Sequence, residues 1–64
     1  MVKINGSDCD AAGVTIEQYV SDAGYDPARI AVERNGEIVP KTQYACTALQ
    51  DGDTVEIVHF VGGG

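Results

Sequence analysis

Residues 30–40 read IAVERNGEIVP, and this stretch decides the fold. In its first half, apolar side chains alternate with other ones, as in a strand that buries one face. Asn35-Gly36 then supplies the positive backbone angles of a two-residue hairpin turn. Pro40 ends the returning strand because it has no N–H to donate. The stretch therefore predicts an antiparallel hairpin in the middle of the chain.

A short amphipathic helix is predicted before this hairpin. Thr15 is a suitable N-cap, and Gln18 three residues later completes the pattern of a capping box. Gly24 stands where a helix commonly ends in the left-handed conformation. A helix of two to three turns between these signals carries one apolar stripe, made of Ile16, Tyr19, Val20 and Ala23.

The remaining strands are predicted near the two ends of the chain. Asn5-Gly6 is a second hairpin signal, between a strand at Val2 to Ile4 and another over residues 7–12. Residues 41–49 are expected to form a short helical turn and a connection laid over the core. Residues 54–60 are the most β-prone run, with Val55 and Ile57 on one face and Glu56 on the other.

This order of elements predicts an α+β domain over residues 1–60, with a mixed sheet of about five strands packed on one main helix. That arrangement is a ubiquitin-like β-grasp fold. Residues 61–64 follow it as a flexible C-terminal tail that contains a Gly-Gly motif.

The tail carries the most distinctive chemistry of the sequence. Glycines accept almost any backbone angle and can pass through a channel too narrow for side chains. An α-carboxyl has a reference pKa of about 3.3–3.7, so a carboxylate on Gly64 is ionised at neutral pH. Such a carboxylate can attack the α-phosphate of ATP to give an acyl-adenylate. The alternative is a frayed terminus or an expression remnant.

Size and charge exclude several classes of function. A chain of 64 residues leaves no room for a cleft with a full catalytic apparatus, so we do not expect an enzyme. A formal charge of −6 opposes binding to nucleic acid and to anionic membranes. It suits basic protein surfaces, or it simply keeps the protein soluble. Because no segment is predicted to be a signal peptide or a membrane helix, a cytoplasmic location is expected.

No metal site or catalytic group is expected. Cys9 and Cys46 lie far apart, without a Cys-x-x-Cys pattern and with a single histidine. Both are interpreted as small, partly buried residues, and a cytoplasmic setting disfavours a disulfide between them. His59 is expected on the solvent-facing side of the last strand, with no partner specified by spacing.

Taken in order, these motifs resemble the ThiS family, the small ubiquitin-like sulfur carriers of thiamine biosynthesis. The resemblance covers essentially the whole chain. It is carried by Ile4-Asn5-Gly6, the helix opened by Thr15, residues 32–40 (VERNGEIVP), residues 49–53 (LQDGD), residues 55–58 (VEIV) and the terminal glycines.

The resemblance implies that Gly64 is adenylated and then converted to a thiocarboxylate. Gly63, Gly62 and Val61 would thread into the active sites of partner enzymes. No cofactor is expected to be bound, and ATP would be consumed by the activating partner. Phe60 and Val58 are the candidate docking residues, the alternative being ordinary packing of the last strand.

The implied partners are an adenylyltransferase related to ubiquitin-activating enzymes (ThiF type), a thiazole synthase (ThiG type), and a cysteine desulfurase or another sulfur donor. The free protein is expected to be a monomer. Three alternatives stay open: a sulfur carrier for molybdopterin, cysteine or a secondary metabolite, a ubiquitin-like protein modifier, and an interaction module with an inert tail.

Overall fold

The predicted central hairpin forms one side of a five-stranded sheet. In the computed structural model, which describes residues 1–60, β3 (Ile30–Arg34) and β4 (Glu37–Val39) pair antiparallel. Asn35 and Gly36 have φ angles of 52° and 86°, the left-handed values that the two-residue turn requires. The hairpin prediction is confirmed.

Three further strands complete the sheet: β1 (Val2–Ile4), β2 (Ser7–Cys9) and β5 (Thr54–His59). The spatial order is β2-β1-β5-β3-β4, with β1 and β5 parallel and the other pairs antiparallel. The predicted mixed sheet of an α+β, β-grasp domain is therefore confirmed.

Two strands are shorter than predicted. The second strand ends at Cys9, not at residue 12, because Cys9 already lies opposite Val2, the first residue of β1. The last strand ends at His59, although the N–H of Phe60 still donates to the carbonyl of Arg29 at 2.9 Å. Backbone pairing therefore continues one residue beyond the assigned strand.

Helix α1 (Ile16–Asp22) begins at the predicted N-cap. The hydroxyl of Thr15 accepts a hydrogen bond from the backbone N–H of Gln18 at 3.1 Å. The reciprocal half of the predicted capping box is wrong, because the side-chain amide of Gln18 donates to Asp22 at 2.8 Å instead. The side chain of Gln18 thus bonds along the helix, one turn towards its C-terminus.

Helix α1 ends at the predicted glycine, but the predicted apolar stripe is wrong at one residue. Gly24 has a φ of 82°, its N–H donates to Ser21, and the N–H of Tyr25 donates to the carbonyl of Val20. This pair of bonds is the Schellman arrangement. Ala23 is the C-cap residue and is exposed, not part of the buried stripe, because the helix has already ended there.

The core lies between α1 and one face of the sheet. The segment between β4 and β5 begins with a 3-10 turn at Lys41–Gln43 and contributes Tyr44 and Leu49 to this core. The predicted helical turn and connection over the core are therefore confirmed. Eleven residues are buried there: Val2, Ile4, Ala11, Ile16, Val20, Ile30, Val32, Tyr44, Leu49, Val55 and Ile57.

The two cysteines occupy different environments. Cys9 is half-buried and packs against the core, whereas Cys46 is exposed, so the prediction of partial burial is wrong for Cys46. Cys46 follows the 3-10 turn at the surface. Both are free thiols. Within residues 1–60, no helix has the length and apolar character needed to span a membrane.

Candidate functional site

The predicted reactive tail lies outside the described residues, which end at Phe60. Val61, Gly62, Gly63 and Gly64 are therefore still predictions, and the candidate site consists of the platform that precedes them. That platform is built around β5, which lies in the sheet between β1 and β3. β1 pairs only with the first residues of β5, Thr54 and Val55, whereas β3 pairs with β5 from Val55 to His59. The end of β5 that precedes the predicted tail is thus held by β3.

Both Asn-Gly turns also bond to β5 through their asparagine side chains. The N–H of Ile57 donates to Oδ1 of Asn5 at 2.8 Å, and the N–H of Thr54 donates to Oδ1 of Asn35 at 2.9 Å. Asn5 and Asn35 also have positive φ angles, which asparagine tolerates better than most residues. Each asparagine therefore shapes its turn and holds the central strand.

A buried carboxylate fixes the start of β5. Asp53 is 8% exposed and accepts hydrogen bonds from Nε of Arg34 (2.8 Å), Nδ2 of Asn35 (3.0 Å) and the N–H of Gln50 (2.9 Å). Burial by itself raises the pKa of Asp53, but these hydrogen bonds and the Arg34 charge outweigh it and hold the pKa below its usual value. Asp53 therefore ties the β3–β4 turn to β5 as an ionised group.

The face of the sheet opposite α1, called the open face here, carries the predicted docking residues. Val58 is 53% exposed and Phe60 is 55% exposed, so neither is part of the core. Val58 lies opposite Ala31 of β3, and Phe60 follows two residues later on the same side of the chain. Ile38 of β4 is 64% exposed and is a third large apolar residue of this face.

Phe60 is held at the base of the tail by contacts that the sequence did not predict. Nζ of Lys41 lies 5.6 Å from the centroid of the Phe60 ring, within the range of a cation–π contact. The same ammonium group donates a hydrogen bond to the carbonyl of Ile30 at 2.9 Å. Together with the bond from the Phe60 N–H to Arg29, these contacts hold Phe60, the last described residue, beside β3.

The open face also carries a pair of like charges. Glu33 of β3 lies directly opposite Glu56 of β5, and on its other side Glu33 is paired with Ile38. Sequence reasoning placed Glu56 on the outward face but did not pair it with Glu33. The alternation within each strand indicates the face on which a residue lies. The register that pairs the two glutamates could not be read from the sequence.

The described residues provide a binding platform and no evident catalytic group. His59 is exposed, and its ring packs edge-on against Tyr25 with the ring centroids 5.6 Å apart. Within residues 1–60, no three His, Cys, Asp or Glu side chains are placed to hold a metal ion. What this arrangement offers is an exposed apolar surface at Val58 and Phe60, immediately before residues 61–64 in the chain.

Comparison with known proteins identifies the family. The sequence model of the ThiS family matches residues 2–64. The sulfur carrier protein ThiS of Bacillus subtilis is 40% identical, with all of both chains covered. A thiazole synthase of Paramagnetospirillum magneticum is 50% identical over 62 residues, which are 95% of this chain but 19% of that protein.

The fold agrees with the sequence comparison. The crystal structure of the thiamine biosynthesis protein ThiS from Geobacter metallireducens superposes with a TM-score of 0.78 at 31% identity, covering 98% of this chain and 97% of that one. The chain spans about a fifth of the length of the thiazole synthases that it matches. The family match over residues 2–64 and the shared β-grasp fold show that the chain belongs to the ThiS family.

Proposed function

We propose that this chain is a sulfur carrier of thiamine biosynthesis, loaded as a thiocarboxylate on Gly64. The observation that carries the proposal is the match to the ThiS family over residues 2–64, which includes the terminal glycines. The alignment with a sulfur carrier protein over its full length supports the same role. The proposal requires the α-carboxyl group of Gly64 to be free.

The proposed chemistry begins with attack of the Gly64 carboxylate on the α-phosphate of ATP, in the active site of an adenylyltransferase of the ThiF type. This step forms an acyl-adenylate and releases pyrophosphate. A persulfide supplied by a cysteine desulfurase then displaces AMP and forms an acyl disulfide. A thiol reductant then cleaves the S–S bond of the acyl disulfide and leaves the thiocarboxylate on Gly64. The thiol is oxidised to a disulfide with the other sulfur, which balances this reduction.

In this proposal the chain itself binds and presents, and its partners catalyse. Val58 and Phe60 provide an exposed apolar surface just before the tail in the chain. A partner can bind this surface while Val61 to Gly64 enter its active site. Exposed apolar and aromatic side chains are the usual anchors of such interfaces. The proposal places the protein in the cytoplasm as a monomer, with both cysteines reduced.

The proposed acceptor of the sulfur is a thiazole synthase of the ThiG type. Two curated thiazole synthases, from Paramagnetospirillum magneticum and Magnetococcus marinus, match this chain at 50% and 41% identity over about a fifth of their length. In those proteins a segment similar to this chain is part of the synthase polypeptide. A covalent association of this kind supports a functional one between separate chains.

The test is the intact mass of the protein after incubation with an adenylyltransferase of the ThiF type, ATP, a cysteine desulfurase, cysteine and a thiol. Replacement of one carboxylate oxygen by sulfur should add about 16 Da. Oxidation of Met1 or of a cysteine adds nearly the same mass, so fragmentation must locate the gain at Gly64. A reaction without ATP is the control and should show no gain at that residue.

Variants at the terminus separate the reaction from folding. Deletion of Gly64, or addition of one alanine after it, should abolish the gain while the far-ultraviolet circular dichroism spectrum stays unchanged. A sulfur-dependent gain at Gly64 that persists without ATP would contradict the adenylate route. Conjugates with lysine side chains in place of the thiocarboxylate would instead indicate a protein modifier.

A further inference from the structure

The pair of glutamates in the middle of the open face has no compensating partner within the described residues. Residues 1–60 form three ion pairs, and none of them includes Glu33 or Glu56. Lys3 of β1 also lies on this face, opposite Thr54 and two residues before Glu56 along β5, and the ammonium of Lys41 lies over Phe60. Like charges directly opposite each other on neighbouring strands destabilise a sheet.

Apolar residues flank this pair towards β4 and towards the end of β5. Ile38 flanks Glu33 in the same row of the sheet, and the Val58 and Ala31 pair forms the next row towards the tail. An apolar contact area with a central negative charge and large exposed side chains is unlike a surface that only needs to be soluble, where both signs are interspersed. Its pattern is that of a docking surface with a charged centre.

We infer that a basic side chain of a partner protein, best an arginine, binds between Glu33 and Glu56 when the platform docks. Opposed residues on antiparallel strands have Cβ atoms about 4.5–5.5 Å apart, so one planar guanidinium can donate to both carboxylates. This inference rests on the proposed carrier function, and it adds the chemistry of the surface that the partner must present.

The charge of the open face decides between possible occupants. A second copy of this chain would bring four glutamates together and would carry the same net charge of −6, which opposes association. Nucleic acids and anionic membranes are excluded by the same sign. A protein with a basic group set in an apolar patch is complementary in both respects.

The test compares Glu33→Gln/Glu56→Gln with Glu17→Gln/Asp22→Asn. Both variants lose two negative charges, but Glu17 and Asp22 lie on α1, which covers the other face of the sheet. Binding to the purified adenylyltransferase and thiazole synthase of the same host is measured by calorimetry in low and moderate salt. Wild-type binding in the same preparation, and the mass gain at Gly64, establish that the carrier reaction operates.

The inference predicts that Glu33→Gln/Glu56→Gln weakens binding to at least one enzyme about tenfold in low salt, and that added salt reduces this difference. The same variant should be as stable as wild type or more stable, because the like-charge pair is gone. A residue pair with a purely structural role would not combine lower affinity with undiminished stability.

Three results would overturn the inference. Equal losses of affinity in both double variants would show a general effect of net charge and no specific contact at Glu33 and Glu56. Unchanged affinity of Glu33→Gln/Glu56→Gln, in a protein that still gains sulfur at Gly64, would reject it while the carrier function stands. A wild-type dimer that Ile38→Ser dissociates would show that a second copy covers this face.

Discussion

Replacement of Asp53 by asparagine is the sharpest test of how the platform is held together. Asparagine keeps the size of the side chain but removes its charge and one acceptor oxygen. The oxygen that bonds Arg34 and Gln50 can be reproduced by the amide carbonyl, whereas the bond from Asn35 to the other oxygen is lost. The start of β5 is therefore expected to lose one hydrogen bond and its partly buried ion pair with Arg34.

The expected cost follows from these contacts. One neutral hydrogen bond contributes about 0.5–1.5 kcal/mol and one charge-assisted bond about 1.5–3 kcal/mol. Because the Arg34 side chain is 28% exposed, water recovers part of the second amount, and we expect a loss of about 1.5–3 kcal/mol. That is a large share of the roughly 3–10 kcal/mol expected for a domain of this size.

Urea unfolding followed by circular dichroism at pH 7 measures this loss. With a slope of about 1 kcal/mol per molar urea for a small domain, the midpoint should fall by about 1.5–3 M. The matched control is Asp10→Asn, which removes a charge from an exposed carboxylate and should change the unfolding free energy by less than about 0.5 kcal/mol.

The pH dependence supplies a second, independent check. Since folding lowers the pKa of Asp53, its ionised form stabilises the native state above the unfolded-state pKa of about 3.9. This contribution is lost as the pH falls through the lower native-state pKa. The difference in stability between wild type and Asp53→Asn should therefore shrink as the pH falls below about 4. A difference that is constant with pH, or no larger than that of Asp10→Asn, would refute the reasoning.

Three further predictions follow from local contacts. Asn5→Gly keeps the left-handed turn but removes the acceptor for the Ile57 N–H, and urea unfolding should show a loss of about 1 kcal/mol that Asn5→Asp largely restores. Thr15→Ala should cost about 1 kcal/mol in the same assay, whereas Thr15→Ser should retain most of the N-cap. Phe60→Ala and Val58→Ala should leave the thermal midpoint nearly unchanged but weaken calorimetric binding to the adenylyltransferase by at least about tenfold; unaltered affinity would remove the open face from the docking proposal.

The sequence by itself determined the local structure and the family. The Asn-Gly turns, the Thr15 cap and the Gly24 end of α1 depend on the conformational limits of the residues themselves, so they can be predicted from neighbours in the chain. The order of these elements, with the terminal glycines, was enough to predict a ThiS-like β-grasp protein.

The candidate site was predicted only in part. Val58 and Phe60 could be named because they lie at the end of the β-prone run that precedes the terminal glycines, and their exposure agrees with a role at the surface. Lys41 could not be linked to Phe60, because their contact depends on how the segment after β4 lies beside β3. The role proposed for the terminal glycines rests on sequence and family alone, since the described residues end before them.

Only the tertiary structure decided which distant groups meet. It brought the carbonyls of Tyr44 and Thr47 to the first amides of α1, and it brought Arg34 and Asn35 to Asp53. These contacts join segments far apart in the chain, so no local preference specifies them.

The strand register had the same role on the open face, where it placed Glu33 opposite Glu56. The position of a residue in its strand determines the face of the sheet on which its side chain lies. Its neighbour across the sheet is set by pairing and register, which exist only once the strands have assembled around the core.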